Sequence, residues 1–431
     1  MDEKNKMELL ELQSEEINRC FRCGLCRSVC PSFKVSGLEY SSPRGRIQYA
    51  KAAVDERIET DKIYREKILD CLNCMRCVDI CPSGVRTDRV VLAARAELVK
   101  NGKLNFVKKV IFKTIIKSPF FMRLCAFAGY VGQKWFYEPS EFLKILVPKL
   151  MGMGDKTFPT FAQKPAVSIL PSVSPALYGE RKMRVGYFIG CATNLMFPGI
   201  AEATVQVLTR NGVEVVIPKN QVCCGIPVYS SGDYNNARAL AEKNLAVFQN
   251  CDIDCIVTDC SSCSSALKHD VHELLGVKGF DVPVYDLTEF LARVLEIDTG
   301  LGELPVDITY HDPCHLKTGQ GISEEPRELL KMVPGINLIE MEDTDLCCGG
   351  AGSFSFTHHE LSRKVGASKI EQIKKTGAKY VSTPCPSCKM QIDEMLNHEG
   401  LDIKTVHPVE ILESSYKIMD KSDSVFYFNE E

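Results

Sequence analysis

The sequence lacks the features that would place it among nucleotide-dependent enzymes or nucleic-acid-binding proteins. No G-x-G-x-x-G follows a predicted strand, and neither a phosphate-binding P-loop nor a flavin-binding segment can be identified. The net charge is −4, so the basic imbalance of a nucleic-acid-binding protein is missing. Nucleic acid is therefore not expected as a partner, and we find no sign of an organic cofactor site on this chain.

Long apolar runs are also scarce. The first residues, MDEKNKMELLELQSEE, are acidic and amphipathic and contain no signal-peptide core. Within the apolar stretch 105–150 the longest uncharged run is Leu124–Gln133, far shorter than a bilayer span. Lys109, Lys113 and Lys117 recur every four residues and so share one helical face. The stretch predicts an amphipathic helix that Pro119 ends, packed on a partner or a second domain or lying on a membrane surface.

Cysteine, in contrast, is abundant, with 21 residues in a chain of 431. In a short secreted protein this count would predict a disulfide framework. A long chain without an export signal and with clustered cysteines instead predicts metal in a reducing compartment. We expect a cytoplasmic protein, with peripheral contact to the inner face of the cell membrane as an open alternative. The length predicts two to four domains.

Two cysteine runs near the N-terminus have the spacing C-x2-C-x2-C-x3-C-P, which is typical of two-cluster ferredoxins. In that arrangement three cysteines hold one cluster and the fourth reaches across to the other. One [4Fe–4S] cubane is therefore assigned to Cys20, Cys23, Cys26 and Cys81, and the other to Cys30, Cys71, Cys74 and Cys77. The alternative is a pair of structural zinc sites. The 40 residues between the runs look helical, which predicts a helix-rich ferredoxin domain.

The second half of the chain is an internal repeat. The first copy reads C-x31-CC-x35-C-x2-C and the second C-x32-CC-x36-C-x2-C, with corresponding cysteines 123 to 125 positions apart. The first set is Cys191, Cys223, Cys224, Cys260 and Cys263; the second is Cys314, Cys347, Cys348, Cys385 and Cys388. Five thiols exceed the need of one cubane or one zinc, so a larger or more open iron–sulfur assembly is expected. A vicinal redox dithiol or a zinc site remains the alternative.

Short β-rich runs such as MRVGYFIG, CIVTDC and KYVSTPC alternate with amphipathic helical stretches in both copies. This alternation predicts parallel sheets with helices on their faces. Each cysteine group follows a strand, where open α/β sheets build their sites. The glycines after each cysteine pair let both thiols turn toward one site. We expect two separate strand–helix units, each with five cysteines at its own sheet edge.

The repeat resembles the CCG, or cysteine-rich, domain of heterodisulfide reductases and of glycolate-oxidase-type iron–sulfur subunits. SPRGRIQ, CPSGVR and CCGGAGSFSFTHHELS carry the resemblance to the iron–sulfur subunit of glycolate or lactate oxidases, over nearly the full chain. The resemblance implies a noncubane [4Fe–4S] cluster on the five cysteines of each complete motif, so one or two such clusters join the two cubanes. It also implies a fold of one ferredoxin domain followed by two CCG α/β domains.

The function implied is electron transfer from an FAD-linked 2-hydroxyacid dehydrogenase subunit, acting on glycolate or D-lactate, to a quinone, a ferredoxin or an electron-transferring flavoprotein. Hydride removal from the hydroxyacid needs the flavin, which belongs on the partner. The alternative is a heterodisulfide reductase-like subunit that splits a disulfide at a noncubane cluster. A neighbouring gene for an FAD-linked oxidase would favour the first and one for a membrane cytochrome b the second.

The predicted domains are the ferredoxin domain at 1–100, a helical segment and linker at 101–180, and the CCG domains at 181–300 and 301–431. No catalytic residue is assigned. His311 and His315 flank Cys314 and are expected to tune a cluster rather than to ligate it. His358 and His359 are expected to begin a helix. The remaining thiols are expected to be small buried apolar side chains: Cys125, Cys251 and Cys255.

Overall fold

The N-terminal part of the molecule is a bundle of short helices. The computed structural model describes residues 8–100, 102, 106–137, 140 and 160–420. The N-terminal helices pack around Ile17, Ile47, Ile68 and Val90, and this helix-rich core confirms the predicted ferredoxin-like domain. Their bounds are Glu8–Glu11, Ser14–Asn18, Cys26–Val29, Pro31–Ser36, Glu39–Ser41, Pro43–Val54, Lys62–Leu69, Arg76–Asp79 and Thr87–Lys100.

The residues of the SPRGR stretch, 42–46, form the start of the helix Pro43–Val54. Ser42 caps the helix Pro43–Val54, because its hydroxyl accepts a hydrogen bond from the amide of Gly45 at 3.0 Å. Proline is well suited to the first turn, where its missing amide hydrogen is not needed. A Cβ atom on Gly45 would lie 2.1 Å from the carbonyl oxygen of Glu39, so only glycine fits. The helix then carries the side chain of Arg46 into the interior.

Two helical segments follow, Phe106–Val110 continuing as the π-helix Ile111–Ile115, and Pro119–Gly132 continuing as the π-helix Gln133–Tyr137. Pro119 separates them as predicted and occupies the first turn of the second segment. Phe112 is buried in one core cluster with Leu92 and Phe188, so the first segment packs on the ferredoxin domain and on the first repeat. The rest of the predicted segment, residues 138–159 apart from Ser140, lies outside the described residues.

The first repeat contains a five-stranded sheet. Its strands are β1 (Val173–Ser174), β2 (Met183–Tyr187), β3 (Val213–Val216), β4 (Cys255–Thr258) and β5 (Val284–Asp286). The order is β1-β3-β2-β4-β5, and only β1 is antiparallel to its neighbour. The helices of this part are Ala166–Ile169, Cys191–Leu195, Pro198–Arg210, Ile226–Tyr229, Tyr234–Gln249, Ser261–Ser265, Val271–Glu273 and Leu287–Glu289, with π-helices Ala266–Asp270 and Phe290–Val294.

The second repeat contains a four-stranded parallel sheet. Its strands are β6 (Asp307–Tyr310), β7 (Asn337–Leu338), β8 (Tyr380–Ser382) and β9 (Lys404–Val406), in the order β7-β6-β8-β9. Without β1, the first sheet has the same order, which confirms the repeat and the parallel α/β fold. The helices are Cys314–Gln320, Glu324–Met332, Phe354–Thr357, His359–Thr376, Pro386–His398 and Pro408–Met419.

Two parts of the fold were not anticipated from the sequence. The stretch rich in proline and serine, interpreted as a linker, contributes the helix Ala166–Ile169 and the edge strand β1, which pairs with β3. Strands β5 and β9, each three residues long, were also missed. Both are followed by a helix that starts with a capping box, formed by Asp286 and Glu289 in one copy and by His407 and Glu410 in the other.

The two repeats share one hydrophobic core. Buried residues of both copies form a single cluster that includes Leu208 of the first copy and Leu412 of the second. The helix Pro198–Arg210 packs on the helix Pro408–Met419, and the guanidinium of Arg210 lies over the ring of Tyr416 at 4.4 Å. The two repeats therefore pack against each other through a shared core.

We predict that Leu208→Ala and Leu412→Ala each destabilise both repeats together. Each change leaves a cavity in the shared core and should lower the free energy of unfolding by about 2–5 kcal/mol. Hydrogen exchange followed by mass spectrometry should show equal loss of protection in the two sheets. Loss confined to the repeat that carries the substitution would contradict a shared core.

Candidate metal centres

The thiols assigned to the second ferredoxin cluster lie around one cavity of about 390 Å³. Cys30 from the first run joins Cys71, Cys74 and Cys77 from the second on its wall, as the crossed ligand pattern predicts. In the other set, burial raises the pKa of Cys26. The charges of the nearby Cys20 and Cys23 raise it further. Cys81, its predicted fourth member, packs with Cys20 and Cys71 against the ferredoxin core.

The two ferredoxin loops have matching backbone turns. Arg22 and Gly24 adopt the left-handed conformation in the first loop, with φ of 59° and 90°, and Asn73 and Met75 do so in the second, with φ of 55° and 61°. Three of the four are not glycine, and such strained residues persist where function requires them. The turns bring amides toward sulfur, since the amide of Asn73 donates to the Sγ atom of Cys71 at 3.4 Å.

Arg46 places a positive charge beside this cavity, a role that no sequence motif indicates. Its side chain is only 1% exposed and donates to the hydroxyl of Ser32 at 2.9 Å and to the Sγ atom of Cys30 at 3.9 Å. Burial opposes its charge, but the thiols of Cys71 and Cys30 leave its pKa above the ordinary value. A fixed cation is what a buried group of thiolates requires.

In the first repeat the five thiols form a continuous group beyond β2, β3 and β4. The Sγ atoms of Cys224 and Cys263 are 3.3 Å apart. Hydrogen bonds from Cys223 and Cys263 lower the pKa of Cys224 to about 5, although burial opposes this. Cys191 completes the group by hydrogen bonding to Cys223, and Cys260 by hydrogen bonding to Cys263. The predicted set is therefore brought together.

The second repeat has the same arrangement, with Cys347, Cys348 and Cys388 in the roles of Cys223, Cys224 and Cys263. Hydrogen bonds from Cys347 and Cys388 hold the pKa of Cys348 well below its ordinary value. Cys385 hydrogen bonds to Cys388. Burial raises the pKa of Cys314, and the charges of the nearby Cys348 and Cys385 raise it further.

The adjacent cysteines are turned toward one site by the glycine that follows them. Gly349 has a φ of 85°, and a Cβ atom there would lie 2.3 Å from the carbonyl oxygen of Ser362. Gly225 has a φ of 99° at the same point of the first repeat. The left-handed turn lets the chain leave the sheet edge immediately after the second thiol, which explains how two adjacent cysteines can serve one site.

Histidine distinguishes the second site from the first. The ring of His311 is buried, with one nitrogen and the thiols of Cys348 and Cys388 all within 4.8 Å of one another. Among the described residues neither ring nitrogen has a geometrically good hydrogen-bond partner. His311 is thus placed to tune or to ligate, and it lies closer to the thiols than the sequence suggested. The Nδ1 atom of His315 lies 3.5 Å from the Sγ atom of Cys314.

The two five-cysteine groups face each other across one cavity of about 940 Å³, which corrects the expectation of two separate sheet-edge sites. The C-x2-C segments of the two repeats are in contact, because the amide and the hydroxyl of Ser261 both donate to the carbonyl of Pro384, at 3.1 and 2.7 Å. The hydroxyl of Ser262 lies 3.6 Å from the Sγ atom of Cys385 across the same contact. Nine of the ten thiols line the cavity: Cys191, Cys224, Cys260, Cys263, Cys314, Cys347, Cys348, Cys385 and Cys388.

The ferredoxin domain docks on the second repeat. Cys74 and Cys347 belong to one small buried cluster. Arg76, only 12% exposed, bridges Asp343 at 3.2 Å and Asp345 at 2.9 Å. These carboxylates precede Cys347 in the chain, so the ion pairs fix a ferredoxin loop against a cysteine loop of the second site.

Two buried residues that hold the loops before the adjacent cysteines were also missed. Lys369 donates from Nζ to the carbonyl oxygens of Asp343 and Thr344, at 3.1 and 2.8 Å. Asn244 does the same in the first repeat, donating to the carbonyl oxygens of Val222 and Cys223. Only their position on a helix after the cysteine pair could have pointed to them.

The donor chemistry fits iron–sulfur clusters. Each group offers four or five sulfur ligands in a largely buried site, and sulfur ligands select iron–sulfur clusters or zinc over magnesium and calcium. The remaining thiols differ from one another. Cys255 is buried as predicted, Cys251 is half-buried, and Cys125 is exposed, so the expectation for Cys125 is wrong. His359 begins the helix His359–Thr376, as predicted.

Comparison with known proteins agrees with this picture. A family model described as a cysteine-rich domain (CCG) matches residues 185–268 and 308–393, and one described as a 4Fe-4S dicluster domain matches residues 16–85. The chain is 31% identical to a probable glycolate oxidase iron-sulfur subunit of Bacillus subtilis, over 94% of this chain and 97% of that protein.

Two further relatives align with different shares of this chain. The chain is 27% identical to a subunit of the dihydromethanophenazine:CoB–CoM heterodisulfide reductase of Methanosarcina barkeri, over 96% of each chain. It is 34% identical to lactate utilization protein A of Oceanobacillus iheyensis, over 53% of this chain and 96% of that protein. Two of these three relatives are named as subunits of oxidoreductases, a glycolate oxidase and a heterodisulfide reductase.

Anaerobically prepared protein should contain close to sixteen irons per chain, since four sites with about four irons each would be filled. Iron analysis and EPR spectroscopy of the reduced protein test this. About eight irons with ferredoxin-type signals alone would mean that the cysteine-rich sites are empty or hold another metal.

Gly349→Ala should destabilise the second cysteine-rich site specifically. The left-handed backbone costs alanine about 1–2 kcal/mol, and the contact with the Ser362 carbonyl adds to that. We expect loss of iron from the second site with the ferredoxin signals retained. Gly377→Ala is the matched control, because Gly377 has a φ of 69° but no atom within 4 Å of a Cβ position. Equal iron loss in both variants would show that the close contact at Gly349 has no role.

Proposed function

The chain belongs to the CCG-domain family of iron–sulfur subunits, and on that premise we propose that it is the electron-transfer subunit of an FAD-linked 2-hydroxyacid dehydrogenase complex. The hydroxyacid is glycolate or D-lactate, and its oxidation takes place on the flavin subunit. Electrons then pass through this chain to a quinone or to another carrier, such as a ferredoxin or an electron-transferring flavoprotein.

The observation that carries the proposal is the unbroken sequence of contacts between cysteine sites. The first ferredoxin loop is open to solvent, since Cys23 is exposed and Phe21 is 83% exposed. Cys30 links this loop to the second ferredoxin cavity. Cys74 of that cavity meets Cys347 of the second cysteine-rich site. A protein that only bound substrate would not need such a chain of sites from the surface to the interior.

In this assignment the bound clusters supply one-electron storage, with potentials set by ligands, burial and hydrogen bonds to sulfur. The chain's own residues set those conditions. Arg46 holds a positive charge against Cys30, and amides such as that of Gly349 donate to cysteine sulfur, here Cys347 at 3.4 Å. The proposed ligand sets are those predicted from the sequence, with two cubanes in the ferredoxin domain and a noncubane cluster on each five-cysteine set. The proposed domain limits also remain those given above.

The second helical segment is proposed to meet a partner subunit or the membrane. Phe120, Phe127 and Trp135 are 68%, 55% and 70% exposed, an unusual number of large aromatic side chains on one helix. We found no helix among the described residues with the length and hydropathy needed to cross a bilayer. The proposed location is the cytoplasm, with peripheral contact at the inner face of the cell membrane.

A second candidate function is disulfide reduction, as the name of the heterodisulfide reductase relative suggests. The arrangement that favours it is the shared cavity, because a disulfide bound there would lie beside both cysteine-rich sites. Electron transfer ranks first because the relative from Bacillus subtilis is the more similar over the full chain.

The proposal is tested with the native complex and an Arg76→Gln variant. Arg76 holds the ferredoxin loop against the second site, and losing its partly buried ion pairs should weaken this docking by about 2 kcal/mol. Flavin reduction by the hydroxyacid should remain normal, while the cysteine-rich sites are reduced more slowly in freeze-quench EPR. Iron content should be unchanged, because Arg76 is not a predicted ligand.

Arg57→Gln is the matched control, since Arg57 is an exposed arginine of the same domain that pairs with its neighbour Asp55 and, among the described residues, with no other carboxylate. A hydroxyacid-reducible flavin on this chain itself would overturn the assignment of substrate oxidation to a partner. The second candidate would be established instead by two results together. The native complex would reduce a disulfide but show no hydroxyacid activity, and Arg76→Gln would slow the disulfide reduction.

A further inference from the structure

Three cationic side chains and a histidine lie near one another where the ferredoxin domain, the helix Phe106–Val110 and both repeats come together. They are Arg65, Arg95, Lys108 and His358. Arg95 is held by backbone carbonyls, including that of Ser230 at 2.7 Å. Arg65 makes no side-chain hydrogen bond or ion pair with any described residue. The group therefore concentrates positive charge at one junction of the molecule.

Lys108 is the centre of this group and is poorly satisfied. Its Nζ atom lies 3.4 Å from the hydroxyl oxygen of Ser231 and 3.4 Å from that of Ser353. Charge-assisted hydrogen bonds of an ammonium are normally about 2.7–2.9 Å long. No carboxylate in the part of the chain that the structure describes forms an ion pair with Lys108. A largely buried ammonium is thus left with two long contacts and no counter-charge.

The surrounding electrostatics are repulsive. Burial lowers the pKa of Lys108 to about 8, and the charges of Arg95 and Arg65 act in the same direction. Burial also lowers the pKa of His358 to about 4, with Arg95, Lys108 and Arg65 as the next causes. Every charged group that acts on these two side chains is positive. An anion placed among them would relieve this repulsion.

The geometry leaves suitable donors for such an anion. The hydroxyls of Ser231 and Ser353 are 3.4 Å apart. Ser231 donates its hydrogen to the carbonyl of Pro227 at 2.9 Å, so it orients Lys108 by accepting. The hydroxyl hydrogen of Ser353 is thereby directed at Ser231 over 3.4 Å, a long contact that an anion can replace, and one ammonium hydrogen of Lys108 stays available to a ligand.

We propose that this junction is a binding site for a small oxyanion, such as a phosphate, sulfonate or carboxylate group, held by Lys108 and Ser353 in the positive field of Arg65 and Arg95. The site adjoins the cavity between the cysteine-rich sites, because Ser230 and Gly352, the neighbours of Ser231 and Ser353, line that cavity. The anion site stands independently of which function the cysteine sites serve.

The test is calorimetric titration of the cluster-loaded full chain with inorganic phosphate, at constant ionic strength maintained with chloride. We expect saturable binding of one phosphate per chain. Lys108→Gln should weaken it at least tenfold, because a charge-assisted hydrogen bond of about 1.5–3 kcal/mol is lost. Ser353→Ala should weaken it severalfold. Lys109→Gln should bind as the unchanged protein does, because the neighbouring Lys109 is exposed to solvent.

Iron content and circular dichroism identify any variant that fails to fold, and Ser353→Ala, which removes only a hydroxyl, keeps the test valid if Lys108→Gln is such a variant. No saturable binding to the unchanged protein below about 20 mM phosphate would overturn the proposal. Equal phosphate affinity in the unchanged protein, Ser353→Ala and a folded Lys108→Gln would overturn it as well.

Discussion

The contact between the two C-x2-C loops, where Ser261 donates twice to the carbonyl of Pro384, is the interaction on which the arrangement of the sites depends. Cys260 and Cys385 begin the two loops, so this contact brings the repeats' cysteine groups face to face. The hydrophobic core that the two repeats share, which includes Leu208 and Leu412, holds the repeats in the same relative position. Without this pairing the two sheets would present two unrelated edges instead of one cavity.

Burying this many thiols creates an electrostatic problem that the protein answers with fixed cations and amides. Arg46 serves the ferredoxin cavity, and Lys369 lies beneath the loop before Cys347. Burial lowers the pKa of Lys369 to about 8, although the nearby carboxylates and Cys348 favour its charge. Because clusters with thiolate ligands are anionic, these cations stabilise the occupied state more than the empty one. Lys108 follows a different pattern, since the charges that act on it are those of Arg95 and Arg65 and include no thiol.

The position of the ferredoxin domain makes the two repeats unequal. Arg76 and Cys74 contact the second repeat, and the second site alone has His311 beside its thiols, whereas the first repeat has the apolar Phe188 at the corresponding place before its first cysteine. The sites therefore adjoin in the order ferredoxin, second repeat, first repeat. This order agrees with a conduit, and the cavity at its end is where a disulfide substrate would have to bind if the second candidate function were correct.

The sequence by itself determined the repeat, the cysteine spacing and the turns that follow the cysteine pairs, and from these it predicted the ligand sets. The spacing C-x2-C-x2-C-x3-C-P requires a crossed pair of clusters, and Cys30 does join Cys71, Cys74 and Cys77. The repeat of period 123 to 125 predicted two sheets of the same order, and glycine after each cysteine pair predicted the turns at Gly225 and Gly349. These features are local, since they follow from chain spacing and backbone conformation within one loop.

Only the tertiary structure decided how those local units are combined. The shared cavity depends on the long-range contact of Ser261 with Pro384, and the docking of the ferredoxin domain depends on Arg76 reaching Asp343 and Asp345. Residues such as Lys369 and Lys108 gain their roles from burial among groups distant in the chain, and no spacing rule marks them. A sequence pattern specifies which thiols form a site, whereas packing of apolar faces specifies which sites meet, because burial of those faces is non-directional and is satisfied only in the complete fold.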